Sequence, residues 1–455
     1  MKSNRLSDCR QVVHLVGVGG VSMSGLAEVL YRRGFVVRGS DMNDSPALQK
    51  LQKQGVKTFV GHRYEQVAGA DLVIRTSAIP DSNPEIVYAR DHQIPVLERA
   101  EAWGILMEEY EDIVCFSGTH GKTTSTSMMT HIALEARLNP QVMVGANLPI
   151  IGGGLRVAES GLFIAEACEY CNSFHHFRPT MAVILNVDED HLDFFSGIDE
   201  IVASFRKFAE IVPQKNGCVI VNADDANAMR SVDDLEREII TFGIDQDADV
   251  RAKNIVYSEK ETVFDLVFRD QEIVRIRLVV LGKHNVYNAL SACAAALQLG
   301  ISPKCIAAGL SKFCGAGRRF EPKGEYRGAK VYDDYAHHPS EVFATLSSVK
   351  ELGYRRVICI FQPHTYTRTA ALKESFAEAL ALADQVCMVP IYAAREQNTI
   401  GISSSAVAEL IPGAKDFPDF AACVKWLEEN AKEGDLVLTM GAGDVFKIGE
   451  MLTQK

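Results

Sequence analysis

This chain repeats one local order: an apolar strand, then a helix-like segment, then another apolar strand. The strand VVHLV (12–16) runs through a glycine-rich turn into SMSGLAEVLYRR (22–33) and then into FVVRGSD (35–41). A strand, a helix and a second strand in that order place both strands parallel in one sheet. The same order returns after residues 110 and 315, whereas 245–280 alternate as antiparallel strands do. The sequence therefore predicts an α/β fold in three blocks, with boundaries near residues 105 and 315.

Charge and composition exclude several classes of protein. The chain has 455 residues and a formal net charge of -12, which counts against a nucleic-acid-binding protein. No segment predicts a membrane span or a secretory signal, so we expect a cytoplasmic protein without membrane contact. The eleven cysteines are scattered, as reduced thiols are. Cys168 and Cys171 have C-x-x-C spacing, but with no second pair they predict neither a zinc site nor a redox role.

The segment SGTHGKTT (117–124) carries the residues that bind phosphate, between a strand-like and a helix-like run. In such a loop, N–H groups at the helix start point at the anion, while a lysine and a hydroxyl serve the outer phosphates and Mg²⁺. The pattern G-x-x-x-x-G-K-[ST] lacks its first glycine, because Phe116 stands there and Gly118 follows two residues later. The alternative is a glycine-rich turn with a solvated lysine. We predict a nucleotide site formed by Gly118, Thr119, His120, Gly121, Lys122, Thr123 and Thr124.

Two polar residues follow later strands of the same block. Glu166 closes the run FIAE (163–166), and His191 lies just past MAVILNV (181–187). The carboxyl ends of parallel strands meet at one edge of a sheet. Taken alone, Glu166 is more simply explained as a solvated cap and His191 as a structural histidine. Together with Thr123 they predict a Mg²⁺ site beside the loop.

The glycine-rich turn after the first strand predicts a second phosphate-bearing ligand. Gly17, Gly19 and Gly20 resemble the dinucleotide fingerprint G-x-G-x-x-G, with Ser22 in place of the third glycine. Asp41 ends the second strand, where an acid that binds ribose belongs.

In combination, these motifs resemble those of the Mur ligase family. No single motif is specific, but together they follow the family's order over nearly the whole chain. They are GVGGVSMSGLA (17–27), TSAIPDSNPE (76–85), SGTHGKTT (117–124), EACEY (166–170), NVDEDHLD (186–193), GKHNVYNA (282–289), GAGRRFE (315–321), DDYAHHPSE (333–341) and FQPHTYTRT (361–369).

The resemblance implies three α/β domains. A Rossmann-like domain (1–105) would bind a UDP-sugar, a P-loop ATPase-like domain (106–314) would bind ATP, and a Rossmann-like domain (315–455) would bind the amino acid and close over the site. The implied UDP-substrate residues are Gly17, Gly19, Gly20, Ser22, Ser24, Asp41 and Ser77. Besides loop 118–124, the implied ATP-binding residues are His284, Asn288, Arg319 and Asp334. The implied amino-acid residues are Tyr335, His337 and Arg368, with Asp333 facing ATP or the amino acid.

The activity implied by the resemblance is ATP-dependent amide formation in peptidoglycan precursor synthesis. The carboxylate of UDP-N-acetylmuramate would attack the γ-phosphate of ATP, and the amine of L-alanine would then attack the acyl phosphate. ATP and Mg²⁺ are the implied cofactors, with Thr123, Glu166 and His191 as metal ligands. The implied catalytic residues are Lys122, Glu166, His191, Arg319 and His337. A base role and a structural role for His337 stay equally open.

Several alternatives remain at this stage. Thr365 stands where the commoner family form has an arginine, which puts one contact to the amino-acid carboxylate in question. A recycling ligase that adds the tripeptide L-Ala-γ-D-Glu-meso-diaminopimelate to the same UDP-sugar shares many of these motifs. Outside the family, an NAD-dependent dehydrogenase leaves loop 118–124 unexplained. A non-catalytic nucleotide-binding regulator would not need the clusters HHP and RRF. The sequence does not predict the oligomeric state.

Overall fold

The computed structural model describes residues 6, 11–158, 160–192, 194–258, 261–315, 317–350, 352–394 and 396–454. The chain forms two compact units, each built from separate segments. The first unit comprises Met1–Val187, Ile201–Val250 and Ser291–Gly309. The second comprises Asp188–Glu200, Arg251–Leu290 and Leu310–Lys455.

The amino-terminal part is a parallel sheet with helices between its strands. The strands are β1 (Val12–Val16), β2 (Val36–Asp41), β3 (Lys57–Val60), β4 (Leu72–Arg75) and β5 (Val96–Glu98). The helices are α1 (Val21–Arg32), α2 (Pro46–Lys53), α3 (Pro84–Asp91) and α4 (Arg99–Met107). The strand order is β3-β2-β1-β4-β5. The order changes direction between β1 and β4, so the carboxyl ends of these strands border the crevice where α/β sheets bind ligands.

The next sheet of the first unit carries the second glycine-rich loop. Its strands are β6 (Asp112–Ser117), β7 (Gln141–Leu148), β8 (Gly153–Arg156), β9 (Leu162–Glu166), β10 (Met181–Ile184), β11 (Cys218–Asn222) and β12 (Glu238–Gly243). Three helices accompany it: α5 (Lys122–Glu135), α6 (Ile198–Ile211) and α7 (Ala226–Val232). The order is β12-β11-β10-β6-β9-β7-β8, and only β8 pairs antiparallel. The loop after β6 therefore lies at the centre of a parallel sheet.

The segment predicted to be antiparallel is confirmed. Its strands are β13 (Val250–Tyr257), β14 (Thr262–Phe268) and β15 (Gln271–Leu278), and β14 pairs with β15 antiparallel. Two helices follow, α8 (Lys283–Gln298) and α9 (Pro303–Ser311).

The carboxy-terminal part is again an α/β sheet. Its strands are β16 (Glu321–Tyr326), β17 (Ala329–Asp334), β18 (Arg356–Phe361), β19 (Gln385–Met388), β20 (Lys415–Asp416) and β21 (Asp435–Met440). Its helices are α10 (Pro339–Lys350), α11 (Tyr366–Leu380), α12 (Ser405–Ala408), α13 (Phe420–Asn430) and α14 (Phe446–Thr453). The order is β16-β17-β21-β18-β19-β20, with only β16 antiparallel.

Both faces of this last sheet are covered, as its continuous apolar strands require. Along β18, Cys359 and Phe361 pack into one apolar cluster, whereas Ile358 and Ile360 pack into another. Successive side chains of a strand point to opposite faces, so helices on each side bury one of the two sets.

Within the described part of the chain, no helix combines the length and apolar character needed to cross a membrane.

Replacing Gly104 by alanine is expected to lower the free energy of unfolding by about 3 kcal/mol. A Cβ at Gly104, in α4, would lie 1.9 Å from the backbone oxygen of His176. In a solvent-exposed helix, replacing glycine by alanine raises the free energy of unfolding by about 1 kcal/mol. Whether the free energy of unfolding falls or rises therefore tests the close approach. Urea denaturation measures it, with Gly153→Ala as the control, because a Cβ on Gly153 meets no atom within 4 Å. A Gly104→Ala protein more stable than the wild type would contradict this close approach.

Candidate active site

The glycine-rich turn after β1 is held by the end of β2. The N–H groups of Gly17 and Val18 donate to the carbonyl oxygen of Ser40 at 2.8 and 2.9 Å. The N–H of Gly19 donates to Asp41 Oδ2 at 2.9 Å. Gly17 has a φ of +84°, which glycine adopts without strain. Asp41 thus fixes the turn, and its contact with a ribose stays a prediction.

The other residues predicted for the UDP-sugar surround this turn. Gly20 precedes α1, and Ser22 and Ser24 lie in the first turn of that helix. The N–H groups at this end of a helix favour an anion. Ser77 is exposed in the turn after β4. Because β1 and β4 are parallel neighbours, these segments share one edge of the sheet, while the ligand that they bind stays a prediction.

The loop between β6 and α5 makes the predicted turn, although one glycine of the formal pattern is missing. Phe116 lies inside β6 and is fully buried, so its position belongs to the sheet. Gly118 has a φ of +141° and Gly121 a φ of +84°, which side-chain-bearing residues rarely adopt. A Cβ on Gly118 would also lie 2.9 Å from Leu185 Cβ. The glycine that this loop requires is therefore Gly118.

Asn186, just after β10, fixes the backbone of the loop. Its carbonyl oxygen accepts the N–H of Thr119 at 3.1 Å. Its side chain accepts the N–H of His120 at 2.7 Å and donates to the His120 carbonyl oxygen at 3.0 Å. Sequence reasoning did not single out Asn186. The signal that could have found it is an amide residue at the end of a strand beside the loop.

The Lys122 ammonium is surrounded by acceptors. Nζ lies 3.0 and 3.2 Å from the two carboxylate oxygens of Glu169 and also donates to the carbonyl oxygens of Gly118 and Thr119. Glu169 is only 2% exposed, whereas the Lys122 side chain is 13% exposed, so this ion pair is partly buried. Burial lowers the pKa of Lys122, but Glu169 and Glu166 more than offset this and hold the pKa above its ordinary value. A phosphate bound here has to replace one of these acceptors. Sequence reasoning missed Glu169, although it lies in the motif EACEY.

Thr123 and Glu166 present the oxygen ligands that Mg²⁺ prefers. Thr123 Oγ1 lies 3.0 Å from each carboxylate oxygen of Glu166. The N–H of Gly145 donates to Glu166 Oε2 at 2.7 Å and orients the carboxylate. Thr124, the next residue of α5, is buried. The hydroxyl and carboxylate fit the predicted metal site, beside Lys122.

His191 and Glu166 belong to different compact units, so their shared role as metal ligands stays a prediction. The N–H of His191 donates to Asp190 Oδ1 at 2.7 Å. Arg368 Nη2 donates to the same oxygen, also at 2.7 Å. Burial raises the pKa of Asp190, but His191 and Arg368 hold it well below its ordinary value. Arg368 is thus anchored by an ionised carboxylate within its own unit.

Two adjacent arginines have different surroundings. Arg318 donates to Asp333 Oδ2 at 2.8 Å and to the carbonyl oxygens of Gly441 and Gly443 at 2.6 and 2.8 Å. Asp333 is fully buried. This ion pair supports a structural role for Arg318 and Asp333, while the expectation that Asp333 faces ATP or the amino acid stays a prediction. Arg319 contacts a different set of side chains.

Arg319 lies among residues predicted for ATP and the amino acid. Its Nη1 is 3.5 Å from Glu341 Oε1, and its guanidinium lies 5.3 Å from the centre of the Tyr335 ring. Burial raises the pKa of Asp334 to about 6, although Arg319 opposes the shift. Burial lowers the pKa of His284 to about 4, and Arg319 adds to this. These groups therefore lie within electrostatic reach of one cation.

Two further candidate residues are held by neighbours in the second unit. His337 Nδ1 lies 3.1 Å from Glu341 Oε2 and 3.1 Å from the carbonyl oxygen of Tyr335. This nitrogen is therefore occupied, and the role of His337 as a base stays a prediction. Asn288 Nδ2 donates to Asn285 Oδ1 at 3.2 Å, and its contact with adenosine likewise stays a prediction.

Three family models match successive parts of the chain. Residues 12–111 match the model described as "Mur ligase family, catalytic domain". Residues 116–296 match "Mur ligase middle domain", and residues 318–443 match "Mur ligase, glutamate ligase domain". These spans contain both glycine-rich turns and Arg319.

Named relatives match over the whole chain. A UDP-N-acetylmuramate–L-alanine ligase of Clostridium acetobutylicum is 46% identical over 454 residues, 99% of each chain. One of Caldanaerobacter subterraneus subsp. tengcongensis is 45% identical over 448 residues, 97% of each chain. The solved structure of a UDP-N-acetylmuramate-alanine ligase from Thermotoga maritima has a TM-score of 0.82 at 27% identity and covers 98% of this chain and 99% of that one. A murein peptide ligase from Psychrobacter arcticus has a TM-score of 0.70 at 25% identity, with 98% of each chain covered.

The predicted fold of three α/β domains is confirmed by these matches, while the boundaries near residues 105 and 315 stay a prediction. The same matches confirm the resemblance that the motifs indicated, because they extend over nearly the whole chain and in the same order. The glycine-rich turn after β1, the loop before α5 and the surroundings of Arg319 are parts of one kind of enzyme: the chain belongs to the Mur ligase family.

Proposed function

We propose that this protein joins L-alanine to the carboxylate of UDP-N-acetylmuramate in a reaction that converts ATP to ADP and phosphate. The observation that carries the proposal is identity of 43% to 46%, over nearly the full length, to proteins named UDP-N-acetylmuramate–L-alanine ligase. The product would be a peptidoglycan precursor. ATP and the UDP-sugar are cytoplasmic metabolites, so we propose a cytoplasmic location.

The reaction brings a carboxylate to a triphosphate, and the site has to offset their repulsion. Two unit charges about 4 Å apart repel by about 4 kcal/mol at an effective dielectric constant of about 20. Lys122 supplies a partly buried cation, and the start of α5 presents N–H groups beside it. We expect Lys122 to exchange Glu169 for phosphate oxygens when ATP binds.

Thr123 and Glu166 are the residues that would hold Mg²⁺ at the loop. When bound, the ion would neutralise phosphate charge. The N–H of Gly145 already orients Glu166 for this task. His191 stays the proposed ligand of a second ion. Arg319, His284 and Asn288 stay the proposed contacts to ATP.

Arg368 is the residue best placed to bind the carboxylate of the amino acid. Its Nη2 is paired with Asp190, but Nη1 is buried and has no hydrogen-bond partner among the described residues. Such a donor is costly to bury unless a ligand satisfies it. This supports the view that Arg368 serves the carboxylate alone, with Thr365 in place of a second arginine.

His364, which sequence reasoning missed, also has a buried nitrogen without a described partner, and its ring centre lies 5.8 Å from that of His337.

Phosphate release tests the proposal. The assay contains ATP, Mg²⁺ and UDP-N-acetylmuramate, with either L-alanine or the tripeptide L-Ala-γ-D-Glu-meso-diaminopimelate. We expect release with L-alanine, and none when the UDP-sugar or the amino acid is omitted. Release with the tripeptide alone would replace the proposal by the recycling activity. Phosphate release that depends neither on the UDP-sugar nor on the amino acid or tripeptide would contradict both the proposed activity and the recycling activity.

A further inference from the structure

A buried carboxylate connects β1, β2 and the loop after β3. Glu85, in the first turn of α3, is fully buried, as are His14 on β1 and Ser40 on β2. Glu85 Oε2 accepts the Ser40 hydroxyl at 2.6 Å and lies 3.3 Å from His14 Nε2. His62 Nδ1 lies 3.4 Å from the same oxygen and 3.1 Å from Ser40 Oγ. We call these four residues the Glu85 cluster.

The Glu85 cluster is not explained by stability alone. Burial raises the pKa of Glu85, but the hydrogen bonds from His14 and Ser40 hold the pKa below its ordinary value. Its second oxygen accepts the N–H of Arg63 at 3.3 Å. Apolar side chains of similar volume would fill the same space without the desolvation cost of a carboxylate. A buried hydrogen-bond network of this kind fixes the positions of the segments that it joins.

Ser40 connects the cluster to the glycine-rich turn. Its hydroxyl is held by Glu85, while its carbonyl oxygen accepts the N–H groups of Gly17 and Val18. The next residue, Asp41, accepts the N–H of Gly19. A shift in Ser40 therefore moves the turn, and with it the N–H groups at the start of α1.

We propose that Glu85 is a positioning residue for the UDP-sugar: through Ser40 it holds the glycine-rich turn in the geometry that binds the diphosphate, without touching the ligand. The identity of the ligand rests on the proposed function. The proposal gives a role to the motif TSAIPDSNPE, whose last residue is Glu85. It also requires a selective effect, because the ATP loop lies in another sheet.

Calorimetric binding of UDP-N-acetylmuramate and of ATP to the full chain tests this selectivity. In Glu85→Gln and Ser40→Ala we expect the Kd for the UDP-sugar to rise about 10-fold, since a small misplacement of binding groups weakens the fit. We expect the Kd for ATP and kcat at saturating substrate to stay within about threefold of the wild type, because neither depends on this turn. Asp71→Ala is the matched control. Asp71 Oδ2 accepts the N–H of Val12 at 2.8 Å at the opposite end of β1, and its loss should leave both affinities unchanged.

Each other outcome is decisive. Equal weakening of UDP-sugar and ATP binding would mean a purely structural role and would overturn the proposal, as would unchanged UDP-sugar binding in both variants. If Glu85→Gln does not fold, Ser40→Ala decides, because it removes a single oxygen atom. A wild-type protein that binds ATP but not UDP-N-acetylmuramate would overturn the proposed function itself. A wild type that binds both ligands, with both variants unchanged, would overturn only the role of Glu85.

Discussion

Replacing Lys122 by alanine is expected to lower kcat/KM by about 10³-fold, because the loop loses the cation proposed to face the phosphates. Lys122 lies in the first turn of α5, and its ammonium pairs with Glu169 at 3.0 Å. Phosphate release with ATP, UDP-N-acetylmuramate and L-alanine measures the loss. An active Lys122→Ala enzyme would contradict the assignment of the phosphate site.

The stability of Lys122 variants separates the catalytic role from the structural one. Lys122→Ala leaves the buried Glu169 without its cation, which is strongly destabilising. The double variant Lys122→Met with Glu169→Gln removes both charges, so we expect its melting temperature to recover while turnover stays low. Lys207→Ala, at an exposed position of α6, is the control and should change neither quantity. Recovery of turnover in the double variant would mean that Lys122 serves only to neutralise Glu169.

Arg318→Ala is expected to lower the free energy of unfolding by about 3 to 5 kcal/mol, because it leaves the buried Asp333 without its partner. Arg319→Ala is expected to lower turnover strongly, because it removes the cation that lies beside Glu341 and Asp334. Chemical denaturation and phosphate release, measured on both variants, separate the two residues.

Each arginine has a conservative control. Arg318→Lys keeps the charge but loses the planar set of donors that reaches Asp333 and the two glycine carbonyls. We therefore expect its free energy of unfolding to lie between those of Arg318→Ala and the wild type. Arg319→Lys keeps a cation near Glu341 and should retain more activity than Arg319→Ala. A pair of variants in which Arg318→Ala impairs only turnover, and Arg319→Ala only stability, would reverse the assignment.

Sequence reasoning found the strands and helices because each has a strong local pattern. Buried parallel strands form continuous apolar runs, as in β6 and β10, and helices such as α8 end near a glycine. Strand order and register depend on contacts between distant segments. The sequence therefore predicted parallel sheets but not the order β12-β11-β10-β6-β9-β7-β8.

The candidate site shows the same limit. Lys122 and Thr123 follow from their place at a strand–helix junction, whereas the partners of these residues do not. Glu169 and Asn186 contact the loop from positions more than 45 residues away, and a single sequence does not reveal such pairings. The resemblance implied a place at the site for both Asp333 and Asp334, which are adjacent on β17. Neighbouring side chains on a strand point to opposite faces, and here one of the two faces Arg318.

The interleaving of the two compact units bears on how the protein is made. The chain passes from one unit to the other after Val187, Glu200, Val250, Leu290 and Gly309. At about 5 to 20 residues per second, a ribosome that starts at residue 1 needs roughly 15 to 60 s to reach Gly309, the end of the last segment of the first unit. The amino-terminal sheet can form early on the nascent chain, whereas the first unit is complete only after its last segment, Ser291–Gly309, has been made. A chain released prematurely in this interval would have neither unit complete, so we expect it to be a substrate for chaperones and proteases rather than a half-active enzyme.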